Sequence, residues 1–269
     1  MSAQRSVHTE LEPLLKELHV PAIRSSYRAA AATAVKESST YEEYLLELAR
    51  AECTSRHGHR VEQLTRESRL PLEKTMMNFD RQRLPRSVNA QVSTLLDGSF
   101  VNRNENVLLF GTPGGGKSHL LCALGHELLL QRKRVLFTRC SQLVQDLLIA
   151  KQSLRLNKML KILSRVDVLI IDDIGYVQQN RDEMEVLFTL LSERYERGSV
   201  MLTSNLAFGQ WEKIFKDPMM AAAAVDRLVH HSIIIEMNLP SFRLDHVKAA
   251  MRKTIGMEEI ATISEMKVD

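Results

Sequence analysis

No apolar run in this 269-residue chain approaches the roughly 20 residues that a membrane-spanning helix requires. Behind the opening Met1-Ser2-Ala3-Gln4-Arg5 there is no apolar stretch of the kind a secretory leader needs. The expectation is a protein that neither sits in a membrane nor is exported across one. Cysteine is equally sparse. Cys53, Cys122 and Cys140 are an odd number with no C-x-x-C spacing, which excludes a disulfide framework and fits a reduced cytoplasmic interior. A surplus of one charge is also missing: 36 Lys and Arg against 33 Asp and Glu leave only +3, so any case for a nucleic-acid partner must come from where the charges sit. There is no internal repeat or low-complexity tract. What remains is ordinary globular composition, 44% hydrophobic and 26% charged, long enough for one large domain and a small one.

The chain changes character along its length. Up to about residue 70 the apolar positions recur at helical spacing, as in Leu11, Leu14, Leu15 and Leu18, then Tyr41, Tyr44, Leu45 and Leu48. Pro21 marks a helix boundary, and Ser38-Ser39-Thr40 offers capping hydroxyls to a helix whose Glu42 and Glu43 suit its positive end. Residues 1–70 therefore read as a helical N-terminal domain. Residues 71–104, with Pro71, Pro85, Gly98 and several arginines, read as a basic connector with short helices. From 105 to 260 short apolar runs alternate with amphipathic helices, the pattern of a parallel sheet built from βαβ units. The runs are Val107–Phe110, Val135–Thr138, Val166–Ile171, Val200–Thr203 and Ile233–Glu236, which predicts an α/β domain with a five-stranded parallel sheet. A helix between the third and fourth runs is expected to start at an Asn180 cap, with Glu183 three residues on, and to stop at Gly198. Residues 261–269 read as a tail.

The first run feeds Gly111-Thr112-Pro113-Gly114-Gly115-Gly116-Lys117-Ser118 and then a helix over Ser118–Lys133, so the G-x-x-x-x-G-K-[ST] pattern stands in its strand-loop-helix context. Phosphate oxygens need several amide donors converging on them, which a glycine-rich loop at a helix N-terminus supplies. Lys117 is expected on the β- and γ-phosphates of ATP and the Ser118 hydroxyl on Mg²⁺. The third run ends in Asp172 and Asp173, a Walker B pattern: Asp172 is expected to hold Mg²⁺, and Asp173 to orient or deprotonate the attacking water. Asn205, at the end of Val200–Asn205, is either a water-holding residue or a strand-ending turn.

Lys151, Arg155, Lys158, Lys161 and Arg165 recur at spacings of 4, 3, 3 and 4 with no acid between them. On one continuous helix they would share a face about 120° wide. Such a row suits sequence-independent binding of double-stranded DNA through its phosphates, against the common alternative of a solvated charged face. A weaker basic tract runs from Arg50 to Arg86. Within it, His57-Gly58-His59 reads as a loop rather than a metal site. Trp211 with Phe208 and Phe215 reads as core.

Together, Gly111–Ser118, Ile170-Ile171-Asp172-Asp173-Ile174-Gly175, Thr203-Ser204-Asn205 and Asp226-Arg227-Leu228 resemble the AAA+ ATPases of the IstB/DnaC group. Leu14-Leu15-Lys16-Glu17-Leu18, Tyr41–Leu48, Arg227-Leu228-Val229-His230-His231 and Ser241-Phe242-Arg243-Leu244 are similar to the IstB helper ATPases of bacterial insertion sequences. The resemblance implies a bacterial cytoplasmic ATPase that oligomerises with ATP on double-stranded DNA and assists a transposase. It implies nucleotide contacts from Gly111 through Ser118 and on to His119, a sensor role for Asn205, and an arginine finger at Arg227 serving a neighbouring subunit. The second Walker B acid of AAA+ proteins is usually Glu. Asp173 is one methylene shorter, so slow hydrolysis is expected. Residues 237–269 are too few for a full helical lid, and Arg243 is the candidate for the second sensor. A DnaC-like loader of a replicative helicase shares every one of these residues and stays open. A small-molecule P-loop kinase and an ATP sensor without turnover are the readings from other classes.

Overall fold

The computed structural model describes residues 2–175, 181–211 and 217–242. The chain divides between Gln63 and Leu64 into two compact units.

The first unit is helical: α1 (Ser2–Glu17), α2 (Pro21–Glu37) and most of α3 (Tyr41–Ser68). Leu15, Tyr27, Ala30 and Leu48 are buried together, flanked by Leu11, Val20, Ile23 and Tyr44. The starts of α2 and α3 are satisfied by side-chain chemistry. Pro21, which has no N–H to lose, opens α2. The next two amides, of Ala22 and Ile23, donate to the buried Glu52 carboxylate at 2.9 and 3.2 Å. At α3 the Thr40 N–H donates to Glu43 Oε2 (2.7 Å) while the Glu43 N–H donates to Thr40 Oγ1 (3.2 Å), a reciprocal cap worth about 1 kcal/mol. His57-Gly58-His59, expected as a loop, lies inside α3. Gly58 costs a helix about 1 kcal/mol relative to Ala, too little to break one of this length.

The second unit holds a five-stranded parallel sheet of order β2-β3-β4-β1-β5. Its strands are β1 (Asn106–Phe110), β2 (Val135–Arg139), β3 (Val168–Ile174), β4 (Ser199–Ser204) and β5 (Ser232–Glu236). Alternate residues of the central strands face two separate cores. Leu108, Phe110, Leu169, Ile171, Val200 and Leu202 pack with α7 (Cys140–Gln152), α8 (Leu156–Leu163), α9 (Arg181–Arg194) and α10 (Pro218–Val229). Val107, Leu109, Val168, Ile170, Met201 and Ile235 pack with α6 (Lys117–Leu130) and with α4 (Arg86–Leu95) and α5 (Ser99–Asn102). Burial on both faces is why β1, β3 and β4 read as nearly unbroken apolar runs. Truncating one of these leucines to Ala would cost about 2 to 5 kcal/mol.

Four local expectations change. β3 starts and ends later than Val166–Ile171, so both of its acids lie within the strand. The stretch expected as a connector is core: Val88, Val92 and Leu95 of α4, then Phe100 and Val101 of α5, are buried in the second cluster. The basic row does not occupy one helix. α7 ends at Gln152, Leu154 takes a left-handed φ of 55°, and the Arg155 N–H returns to Ala150 O (2.7 Å) while the Leu154 N–H returns to Lys151 O (3.1 Å). This is a Schellman turn made on leucine, so no glycine announces it in the sequence. Leu160 and Leu163 then hold α8 against the core in a new direction. Finally, the left-handed residue after α9 is Glu196 (φ 57°), and Gly198 does not have a positive φ. The expected Asn180 cap, Phe215, Arg243 and the tail lie outside the described residues.

Candidate functional site

β1, β3 and β4 deliver their carboxyl ends side by side, and the three segments there form one site. Phe110 ends β1 in register with Ser204 of β4, and the loop from Gly111 to Gly116 leads from it into α6. Gly111 (φ 142°) and Gly114 (φ 80°) hold conformations that L side chains rarely adopt. A Cβ on Gly111 would also lie 2.1 Å from Met237 O, so the loop can pass this close to the chain after β5 only as glycine.

Lys117 opens α6 and is buried, 6% exposed. Its Nζ donates to Gly111 O (2.8 Å), to Thr112 O (2.9 Å) and to Asn205 Oδ1. Burial lowers its pKa, opposed by the charges of Asp173 and Asp172. Asn205 uses the other end of its amide to donate to Asp173 Oδ1 (3.2 Å), so one side chain bridges the loop lysine and the second strand acid. Asp172 is buried and accepts from the Thr203 hydroxyl at 2.7 Å. Asp173 is exposed to the cleft with a φ of 68°, a strained value for a residue other than glycine and of the kind that concentrates at functional sites.

The cleft in front of these groups is lined by Pro113, Gly114, Gly115, Gly116, Lys117, Ser118 and His119, with Asp173 and Asn205 across from them. Thr112, in the same loop, is not among the lining residues, and its hydroxyl donates to Leu239 O (2.8 Å). The far wall was not legible in the sequence. Phe79 stands edge-on to the His119 ring, 5.2 Å between centroids, and His119 Nε2 lies 3.1 Å from Thr75 O. Arg83 donates to Pro240 O (3.0 Å) and stacks over Phe242 at 5.2 Å. Lys74, Asn78, Asp80 and Leu239 complete the wall. Apart from His119, these residues come from 71–83, irregular but for a short 3-10 turn at Arg81–Arg83, and from 237–242, where neither periodicity nor a motif marks them.

The remaining predicted site residues lie elsewhere. Arg227, on α10, donates from Nη1 to Ala223 O (2.9 Å) and lies 4.7 Å over the Phe188 ring. It lines a different cleft with Asn106, the first residue of β1, and so sits toward the amino end of the sheet. Lys151 is paired with Asp182 (3.3 Å) and Glu185 (3.0 Å) of α9. Arg155, Lys158, Lys161 and Arg165 are exposed on and beside α8.

The donor set can be tested against the ligands it suggests. Backbone amides at a helix start, a lysine and a glycine-rich loop fit a polyphosphate. The hydroxyl of Ser118, which lines the cleft, and the buried carboxylate of Asp172 are hard oxygen donors of the kind Mg²⁺ takes.

Comparison with known proteins agrees on ATP binding. The family of IstB-like ATP binding proteins matches residues 13–250. An insertion-sequence ATP-binding protein of Sinorhizobium fredii is 40% identical over 254 residues, 92% of this chain and 85% of that protein. The IS21 ATP-binding protein of Pseudomonas aeruginosa is 39% identical over 241 residues, covering 90% and 91%. Among solved structures, AMPPCP-bound DnaA from Aquifex aeolicus has a TM-score of 0.54 at 20% identity, over 69% of this chain and 57% of that one. The DnaC helicase loader has a TM-score of 0.51 at 16% identity, over 62% and 98%. At these identities the structural likeness carries the fold alone, which is the P-loop AAA+ fold. Among the described residues no helix is long and apolar enough to cross a membrane.

Proposed function

The chain belongs to the IstB-like ATP-binding protein family, and from that premise we propose that it is a slow, Mg²⁺-dependent ATPase that assembles with copies of itself on double-stranded DNA and assists a transposase. The observation that carries the ATPase reading is the bridge from Lys117 through Asn205 to Asp173 at the mouth of the glycine loop. The loop amides and Lys117 bind the phosphates of ATP and orient the γ-phosphate toward Asp173. Ser118 and Asp172 are the residues that would hold Mg²⁺, whose charge, when bound, offsets the negative charge building on the phosphate oxygens. Asn205 fixes the Asp173 carboxylate, which accepts a proton from the attacking water or orients it. The shorter reach of Asp relative to Glu supports slow turnover.

Partner assignments rest on other observations. The relatives carry the name of insertion-sequence ATP-binding proteins, and a transposase is the catalytic partner such an element requires. Four exposed cations, Arg155, Lys158, Lys161 and Arg165, support phosphate contacts to DNA. Lys151 is better placed as a strut between α7 and α9.

The test of the site pairs two variants. Lys117→Ala should abolish ATP binding and leave the fold intact. Asp173→Asn should keep ATP bound and stop hydrolysis. Normal nucleotide affinity in the first, or normal turnover in the second, would overturn the assignment. For DNA, charge reversal at Arg155, Lys158 and Lys161 should weaken binding to unrelated sequences equally and reduce the salt slope by up to about 3. Unchanged affinity would move the DNA surface elsewhere.

A further inference from the structure

The two strand acids could not act together if β3 were regular, because consecutive side chains on a strand point to opposite faces. The ladder between β3 and β4 shows how both come to bear on Lys117. Ile171 pairs with Leu202, but the next pair is Ile174 with Ser204. Two residues of β3, Asp172 and Asp173, therefore stand opposite the single residue Thr203, which is a β-bulge. A bulge leaves a main-chain group without its ladder partner. Here that group is the Asp173 N–H, and it donates to the Thr203 hydroxyl at 2.8 Å. The same hydroxyl spends its one proton on Asp172 Oδ1 at 2.7 Å. Thr203 is fully buried, so water cannot substitute for either bond.

We propose that Thr203 is a positioning residue for the ATPase site: its single hydroxyl aims the Asp172 carboxylate and holds the bulge that turns Asp173 into the cleft. The inference rests on the ATPase reading and deepens it. A hydroxyl has one donor and two acceptor sites, and here the donor and an acceptor site are both committed to residues of the site. With one of the Asp172 oxygens tied to Thr203, the carboxylate is oriented before metal arrives. The Asp173 backbone, strained at its φ of 68°, is held where its side chain meets Asn205. Neighbouring Ser204 uses its hydroxyl differently: its one proton is shared between Leu206 O (2.9 Å) and Ile174 O (3.1 Å), and it bonds neither acid.

The experiment compares Thr203→Val, which keeps the shape and removes the hydroxyl, with Thr203→Ser, which keeps the hydroxyl. Mn²⁺ affinity is read by electron paramagnetic resonance on the full chain bound to a non-hydrolysable ATP analogue. Nucleotide affinity is read separately in EDTA. Thr203→Val should weaken Mn²⁺ binding about 10- to 100-fold, the usual effect of losing a group that orients a metal ligand, and lower kcat in step. Its affinity for metal-free nucleotide should stay within about twofold, since the loop and Lys117 are untouched. Thr203→Ser should restore both readouts. If Thr203→Val does not fold, Thr203→Ala is read in the same way. A merely structural threonine would lower the melting temperature and leave Mn²⁺ affinity per folded molecule unchanged, and that result overturns the proposal. A wild-type protein that binds Mn²⁺ and nucleotide but never turns over ATP would sink the ATPase reading, while the Mn²⁺ comparison still decides the role of Thr203.

Discussion

Two cations are buried at opposite ends of the same sheet. Lys117 lies at the carboxyl ends of the strands, and Arg194, 2% exposed, at their amino ends. Burial lowers the pKa of both, that of Arg194 to about 10. Their partners differ. The Arg194 guanidinium donates to the main-chain carbonyls of Leu163, Val166, Asp167 and Ser199 at 2.8 to 3.2 Å, tying the end of α8 and the starts of β3 and β4 to α9. Lys117 has two loop carbonyls, a side-chain amide and two carboxylates near enough to act on its charge, and it opens onto a cleft. A perturbed pKa in a buried cation therefore does not identify a functional group. The surroundings do: Arg194 is enclosed by main-chain carbonyls that it ties together, whereas Lys117 opens onto a cleft with Asn205 and Asp173 across from it.

The largest predicted effect would break this division between a working end and a structural end. Arg227 also sits toward the amino end, outside the cleft that holds Lys117. As the finger of a neighbouring subunit it would make the structural end of one copy part of the working end of the next. Arg227→Ala should then bind ATP normally and lose about 10³- to 10⁵-fold in hydrolysis rate. Mixing it with Lys117→Ala should restore part of the activity, because some interfaces then pair an intact loop with an intact arginine. No rescue at any ratio, with both variants folded and co-assembling, would leave Arg227 as a helix residue packed on Phe188 and keep the two ends distinct.

The next effect sharpens the division. Arg194→Ala removes the guanidinium that joins four main-chain carbonyls and leaves a void at the end of α9, and it should cost about 3 to 5 kcal/mol in denaturant unfolding. Nucleotide affinity per folded molecule should not change, because no atom of the cleft touches Arg194. A variant as stable as the wild type would remove the strut.

The working end was the more legible of the two. A glycine loop followed by lysine and serine, and two acids ending an apolar run, are contiguous in sequence because a strand-loop-helix corner places contiguous residues on one ligand. Asn205 is ambiguous in the sequence and is joined to Lys117 and Asp173 by the pairing of β1, β3 and β4. Part of what the sequence does not announce comes from segments with no period. Phe79, Arg83 and Phe242 wall the cleft from stretches that carry no motif. The Schellman turn at Leu154 splits a basic row that looks continuous at helical spacing. Arg194 reads as one more polar residue ending a helix, since carbonyl acceptors leave no trace in a sequence. The bulge at Asp173 is silent for the same reason: registers belong to pairs of strands, and its only sign is the threonine opposite.

The smallest predicted effect tests the strut from its other side. Gly198 follows α9 where a left-handed glycine stop was expected, yet its φ is not positive and backbone freedom does not explain it. A Cβ there would lie 2.7 Å from Arg194 Nη2 and 3.2 Å from its Cζ. A long side chain can usually swing away from such a contact. This one cannot, because the same Nη2 is held by Val166, Asp167 and Ser199 carbonyls. Gly198→Ala should therefore destabilise by about 1 to 2 kcal/mol, within the range for overpacking. The sign should reverse when the guanidinium is gone. In an Arg194→Ala background the clash has no second partner, and replacing glycine in an ordinary backbone conformation should stabilise by about 0.4 to 1 kcal/mol through the unfolded chain. The four unfolding free energies form a double-mutant cycle whose coupling should reach about 1.5 kcal/mol or more. Additive effects would mean that Gly198 is there for another reason, and that the carbonyl cage yields more readily than its hydrogen bonds imply.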